Sequence, residues 1–198
     1  ILRGLVGSEM CIRDSFYLSR RSVLAKKMKN HPIKDEHIDL IVKAGIRVPD
    51  HGALNPWKIK IIKGEKLKIT DEEVILPEFK KTNPQASDDM LEIESKRLQR
   101  ASVVLAVLST PVDHPKISKW EMVLSSGAVC MNLLSCAQSL GYAAQWLTEW
   151  YSYNNKMLEY LGGRLDKDQI SGFIYIGHKA EEPTERRRPD PQKVISYL

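Results

Sequence analysis

Cysteine is scarce in these 198 residues: Cys11, Cys130 and Cys136 are the whole complement. An odd number, with no CxxC pair and no histidine at metal-ligand spacing, excludes a disulfide framework and a cysteine-built zinc site and points to a reduced, cytoplasmic protein. Also absent are GxGxxG, GxxxxGK[ST], HExxH and GxSxG. Their absence removes the common dinucleotide fold, the simple zinc hydrolases and the serine hydrolases. Aromatic residues make up only 7%, and no aromatic-and-basic interleaving accompanies the net charge of +5. That charge therefore suits anionic small molecules better than nucleic acid.

Long apolar runs are nearly absent too. The one exception, from Met122 to Thr148, carries no formal charge and is long enough to span a bilayer. Ser125, Ser126, Asn132, Ser135, Gln138, Ser139 and Gln145 recur through it, and Gly141 interrupts it. A helix buried inside the protein, followed by a buried strand, accounts for it better than a membrane span.

What is present, 42% hydrophobic and 28% charged residues, suits one compact domain with a real core. Ile1 to about Ser15 has no initiating methionine and no lasting period, and is set aside as a non-native segment; residues 16–198 form the domain. "DEHIDLIVKAGI" carries a helical stripe opened by acidic residues. "WKIKIIKG" alternates Trp57, Ile59 and Ile61 against Lys58 and Lys60, as a half-exposed strand does. "DDMLEIESKRLQRA" reads as an amphipathic helix, and "SVVLAVLST" as a central strand. The long apolar helix ends at Gly141. "YAAQWLT" and "SGFIYIGH" are two further strands, with a short helix, "NNKMLEYLGG", between them. Helices and strands mixed in one core imply an α+β or α/β layer fold. Pro189 and Pro191 predict that the tail leaves the body as an extended arm.

Two stretches carry candidate chemistry. Arg20, Arg21 and Ser22 could hold a phosphate and a polyol, although a solvated basic turn would look the same. "RVPDHGALNPW" is a loop whose prolines and glycine fix its path, yet it carries Arg47, Asp50 and His51. His31, His37, His114 and His178 fit no ligand spacing and read as surface or capping residues. Trp57 and Trp120 read as core or interface anchors.

In this order and at these separations, "RRS", "AGIRVPDHGALNPWKIKII", "WEMVLSSGAVCMNLLSCAQSLGYAAQWLT", "GFIYIGH" and "RPDP" resemble the nitroreductase family. The resemblance runs from about Ser19 to the C-terminus and is greatest to the family's small, single-domain bacterial NAD(P)H nitroreductases. It implies an α+β three-layer sandwich with a central, mostly antiparallel sheet, forming an intertwined homodimer with FMN in two interface clefts. By that resemblance Arg20, Arg21 and Ser22 hold the FMN phosphate and ribityl chain, and Arg47 and His51 reach the partner's flavin. Asp50 would orient His51. Trp146, Leu147 and Thr148 line FMN, and Cys136, Ala137, Gln138, Ser139, Leu140 and Gly141 match a stretch assigned to NAD(P). Leu147 stands where the nearest branch carries an arginine. The implied activity passes reducing equivalents from NAD(P)H to nitroaromatics, quinones or similar flat acceptors by a ping-pong route, with no side chain acting as essential acid or base. Dehalogenation or flavin-consuming chemistry on the same fold, and a noncatalytic basic binding module, stay open as alternatives.

Overall fold

Seven consecutive buried residues, Val103–Ser109, form strand β3 at the centre of the sheet. A strand buried on both faces calls for apolar side chains on both, which is why Val103–Leu108 reads as a continuous apolar run. The computed structural model describes residues 15–198; the segment set aside above, Ser15 apart, and Cys11 lie outside the described residues. The chain divides into two compact units. The larger spans residues 22–180, and the smaller joins the described residues up to Arg21 with Glu181–Leu198.

In the larger unit, β2 (Trp57–Lys63) and β5 (Gln169–Lys179) pair antiparallel with the two edges of β3. Strand β4 (Ala143–Leu147) pairs with β5 from Ala143 opposite Gly177 to Leu147 opposite Phe173. The two-residue β1 (Met28–Lys29) closes on the end of β5. All these pairings are antiparallel. Register slips between Val107 and Leu108, where Ser171 of β5 is left without a cross-strand partner, a β-bulge.

Helices cover both faces, giving three layers. On one face lie α1 (Asp35–Gly45) and the long α5 (Lys119–Ser139), enclosing Ile41, Leu105, Val129, Leu133 and Ile174. On the other, Ile75, Leu98, Tyr151, Met157 and Phe173 pack beneath a helical run made of α2 (Glu65–Thr70), a wide π turn (Asp71–Ile75) and α3 (Leu76–Thr82). The sequence reading leaves this run unassigned, and Pro77 sits inside it. The wide turn ahead of the proline relieves the clash with the preceding carbonyls that a regular helix would impose.

Three further expectations are corrected. The amphipathic helix at Asp88 is short: α4 is Asp88–Glu94, and after Ser95 the chain continues as a separate turn, Leu98–Arg100. Glu94 is buried, ion-paired with Arg97, and accepts the indole N–H of Trp150 at 3.1 Å. In β2, Ile61 is exposed and Ile62 buried, because the strand contributes to both faces of the sheet. In the smaller unit, the tail contains a helical turn, Pro191–Val194, capped by Asp190. Proline at the first helical position starts a helix rather than preventing one, since its missing N–H has no partner there.

α6 (Asn155–Tyr160) matches the short helix expected between the last strands. The long α5 is apolar and long enough to cross a membrane by composition, but it packs along α1 and three strands of the sheet. Cys130 is fully buried in the core face of α5 and Cys136 half-buried.

Candidate functional site

The loop from Arg47 to Pro56 owes its fixed path to polar residues on one side of the apolar helix α5. Asn132 Nδ2 donates to the carbonyl of Arg47 at 2.9 Å. Ser125 Oγ donates to the carbonyl of Pro49 at 2.9 Å, and Ser126 Oγ to that of Pro56 at 3.0 Å. A loop carbonyl has no ladder partner, so hydroxyls and amides on the neighbouring helix satisfy it. Within the loop, Gly52, Ala53 and Asn55 all have positive φ. A side chain at Gly52 would strike Ile117. Holding Ala53 in the left-handed region costs about 1 kcal/mol, which the anchors must offset.

Held this way, Arg47 and His51 project as exposed side chains. Arg47 makes no ion pair among the described residues. His51 Nδ1 lies 2.9 Å from Glu121 Oε2, on the first turn of α5. Asp50, expected to orient His51, instead accepts the backbone N–H of Asn55 at 2.7 Å and closes the loop. Glu121 is the partner that sequence reasoning missed. Its only sequence signal is the capping box with Ser118 at the start of α5.

Across α5 lies the segment after Gly141. Trp146 is pinned by the bulge: its indole N–H donates to the carbonyl of Ser171 at 3.1 Å. The side chain lies over Gly172, where φ is 151°. Trp146 and Thr148 line a cavity of about 460 Å³ with Val123, Leu124, Gly127 and Tyr153, among others. Its lining is apolar, with Thr148, Gln169 and Ser171 as polar groups. Leu147 points to the opposite side of β4, half-buried against the core cluster on which Trp150 also packs. An arginine there would face that packing rather than the cavity. Ser22 begins the larger unit, and the chain following it runs along β4: Val23 N–H donates to Ala144 at 3.2 Å, and Ala25 N–H to the Gln145 side chain at 2.6 Å.

Arg20 and Arg21 belong to the smaller unit. There Arg21, its side chain 10% exposed, meets Glu185 Oε1 at 3.1 Å. The backbone N–H of Arg186, then Arg188 and Arg21, hold the Glu185 carboxyl below its usual range. Cys136 to Gly141 end α5. Tyr142 N–H donates to Ala137 and Gly141 N–H to Gln138, with Gly141 at φ 85°, the double bond of a Schellman stop. At about 1.5 Å per residue Cys136 is about 22 Å along the helix from Glu121, and the end of α5 about 27 Å. His37 and His178 meet Tyr142, whose hydroxyl lies 2.6 Å from His37 Nδ1, and His31 stands edge-on to His178.

Between the loop side and the cavity side of α5 runs an apolar stripe. At about 100° per residue, Trp120, Leu124, Gly127 and Met131 fall within about 60° of one another. Trp120 is 68% and Leu124 53% exposed, and nothing lies near a Cβ built on Gly127.

The model of the Nitroreductase family matches residues 17–178. The chain is 26% identical over 184 residues to "Putative NAD(P)H nitroreductase YdjA" of Escherichia coli, covering 91% of this chain and 96% of that protein. In structure it resembles a nitroreductase-like family protein of Bacillus cereus, with a TM-score of 0.76 at 18% identity over 93% of this chain and 95% of that one. A Bacteroides fragilis nitroreductase with bound FMN gives a TM-score of 0.67 at 18% identity over 93% and 97%.

Proposed function

This chain belongs to the nitroreductase family, and from that premise and the geometry of its site we propose that it is an FMN-dependent oxidoreductase acting as a homodimer. The observation that carries the reading is the arrangement about α5. The uncovered apolar stripe is flanked on one side by the anchored Arg47–His51 loop and on the other by the Trp146–Thr148 cavity. A two-fold axis through that stripe would bury it and set the loop of each copy against the cavity of the other. Neither copy then has a whole site.

The residues fit the cofactor. A cavity of about 460 Å³ with an apolar lining and a few polar groups is of the size and character that hold flat heteroaromatic ligands. Trp146, fixed by the bulge, and Thr148 would border the ring system. Arg20, Arg21 and Ser22 are the residues assigned to the phosphate and ribityl chain, with Arg47 and His51 arriving from the partner. Bound FMN supplies hydride and electron transfer between NAD(P)H and a flat acceptor, a nitroaromatic or a quinone, the two substrates taking turns at one face. The protein's part is to bind, to exclude water with the stripe and Trp146, and to place the Arg47 cation where negative charge accumulates on reduction. The Cys136–Gly141 turn is carried as the NAD(P)-associated stretch, and the protein as cytoplasmic.

The test is the absorbance spectrum of the purified full chain after incubation with FMN, followed by anaerobic titration with NADH and NADPH and reoxidation by a nitroaromatic. Bound flavin that is bleached by a nicotinamide and restored by the acceptor supports the reading. Failure to retain FMN overturns it.

A further inference from the structure

Glu121 has both carboxylate oxygens committed. Oε1 accepts the backbone N–H of Ser118 at 3.1 Å and the Ser118 hydroxyl at 3.0 Å. That hydroxyl in turn accepts the Glu121 N–H at 3.3 Å, so its own proton points to the carboxylate. Oε2 faces His51 Nδ1 at 2.9 Å. The His51 hydrogen bond, then those from Ser118, hold the Glu121 carboxyl below its usual range, so it is ionised at neutral pH. An ionised carboxylate only accepts. Nδ1 must therefore carry the proton, and in the neutral imidazole Nε2, on the far side of the ring, is the bare nitrogen.

We propose that Glu121 is a positioning residue that locks His51 in its Nδ1–H tautomer, so that Nε2 meets the cofactor as a hydrogen-bond acceptor for a hydroxyl or N–H of FMN. The inference rests on the reading of His51 as a flavin contact. An exposed pair of this kind adds little to stability. Its effect is on direction, because the wrong tautomer would set a donor against a donor.

Glu121→Gln separates the two. Glutamine keeps the cap, and the Ser118 N–H, which can only donate, claims its oxygen. The amide NH₂ is left opposite His51 Nδ1, which must then become the bare nitrogen. The experiment records imidazole ¹⁵N shifts of His51 in the full-length protein without flavin, at a pH high enough that the shifts no longer change with pH. FMN dissociation constants of wild type, Glu121→Gln and His51→Gln follow. Expected are an Nδ1–H signature in the wild type, its inversion in Glu121→Gln, and FMN binding about 10-fold weaker in that variant. Lumiflavin, which has no ribityl chain, identifies the donor: a loss that persists points to the ring N–H, and one that vanishes to a ribityl hydroxyl. An Nε2–H signature in the wild type, or none inverted in the variant, overturns the positioning role and leaves the flavin site standing. Unchanged FMN affinity in His51→Gln, beside the expected signature, overturns instead the placing of His51 against the flavin.

Discussion

Trp146 fills the space that a side chain at Gly172 would need: a Cβ built on Gly172 would overlap the indole nitrogen of Trp146. The bulge in β5 thus does two things for the candidate cavity. It frees the Ser171 carbonyl to take the indole N–H, and it places beneath the ring the one residue type that leaves room for it.

Gly172→Ala is therefore expected to expel Trp146 from its seat. Overpacking combined with a positive φ should lower stability by about 1–3 kcal/mol, read from urea unfolding. FMN affinity, measured by quenching of flavin fluorescence, should fall with it. Unfolding and FMN titration curves that match the wild type would refute this account of the cavity wall.

Leu124, 53% exposed, lies on the apolar stripe of α5 and in the lining of the cavity. Leu124→Arg puts a charge where the second copy is expected, and no core packing is lost. Sedimentation should show a folded monomer that no longer retains FMN. A dimer of unchanged affinity would show that the stripe is not the subunit interface.

The layers of this fold were legible where one physical demand dominates. Val103–Leu108 must be apolar at every position, α1 must carry a stripe, and Gly141 must stop α5; each left its mark in composition. Illegible were the places where a distant partner decides. Pro77 would break a regular helix, and the π turn at Asp71–Ile75 that makes room for it has no sequence signature. Glu94 belonged to an amphipathic helix as a charged residue, and it is Arg97 and Trp150 that hold it inside. In the site, the polar residues of α5 were visible as interruptions of an apolar run, but their acceptors, the carbonyls of Arg47, Pro49 and Pro56, have no sequence signature. The same holds for Glu121 and His51, whose pairing depends on how the loop lies on the helix.

Those anchors make a separate prediction. Asn132 donates to Arg47 at the loop's start from a half-buried position, so Asn132→Ala should cost only about 1 kcal/mol in global stability. Because the released carbonyl belongs to the residue whose guanidinium is expected at the partner's flavin, FMN affinity should suffer more than stability does. Hydrogen exchange at residues 47–55 should quicken while the sheet keeps its protection. Equal, small effects on stability and binding would mean that the loop is held without this bond.

Asp71 supplies a dependence on pH that lies away from the site. Fully buried, it accepts the Leu98 N–H at 2.9 Å and the Gln99 side-chain amide at 3.0 Å, tying the π turn to the Leu98–Arg100 turn. Burial outweighs these bonds and pushes its carboxyl from 3.8 to about 6. Over that interval the folded chain keeps a proton that the unfolded chain has released. The stability this group contributes is therefore complete below about pH 4 and is lost as pH rises through about 6, on the order of 3 kcal/mol in all. Carboxyls held low, such as Asp168 beside Arg164, act in the opposite sense at more acid pH, so the comparison must be with a variant. Asp71→Asn, an uncharged analogue of the protonated acid, should remove the loss and gain on the wild type between pH 4.5 and 7.5 in urea unfolding. Parallel curves over that range would show that the carboxylate is accommodated in the fold without cost.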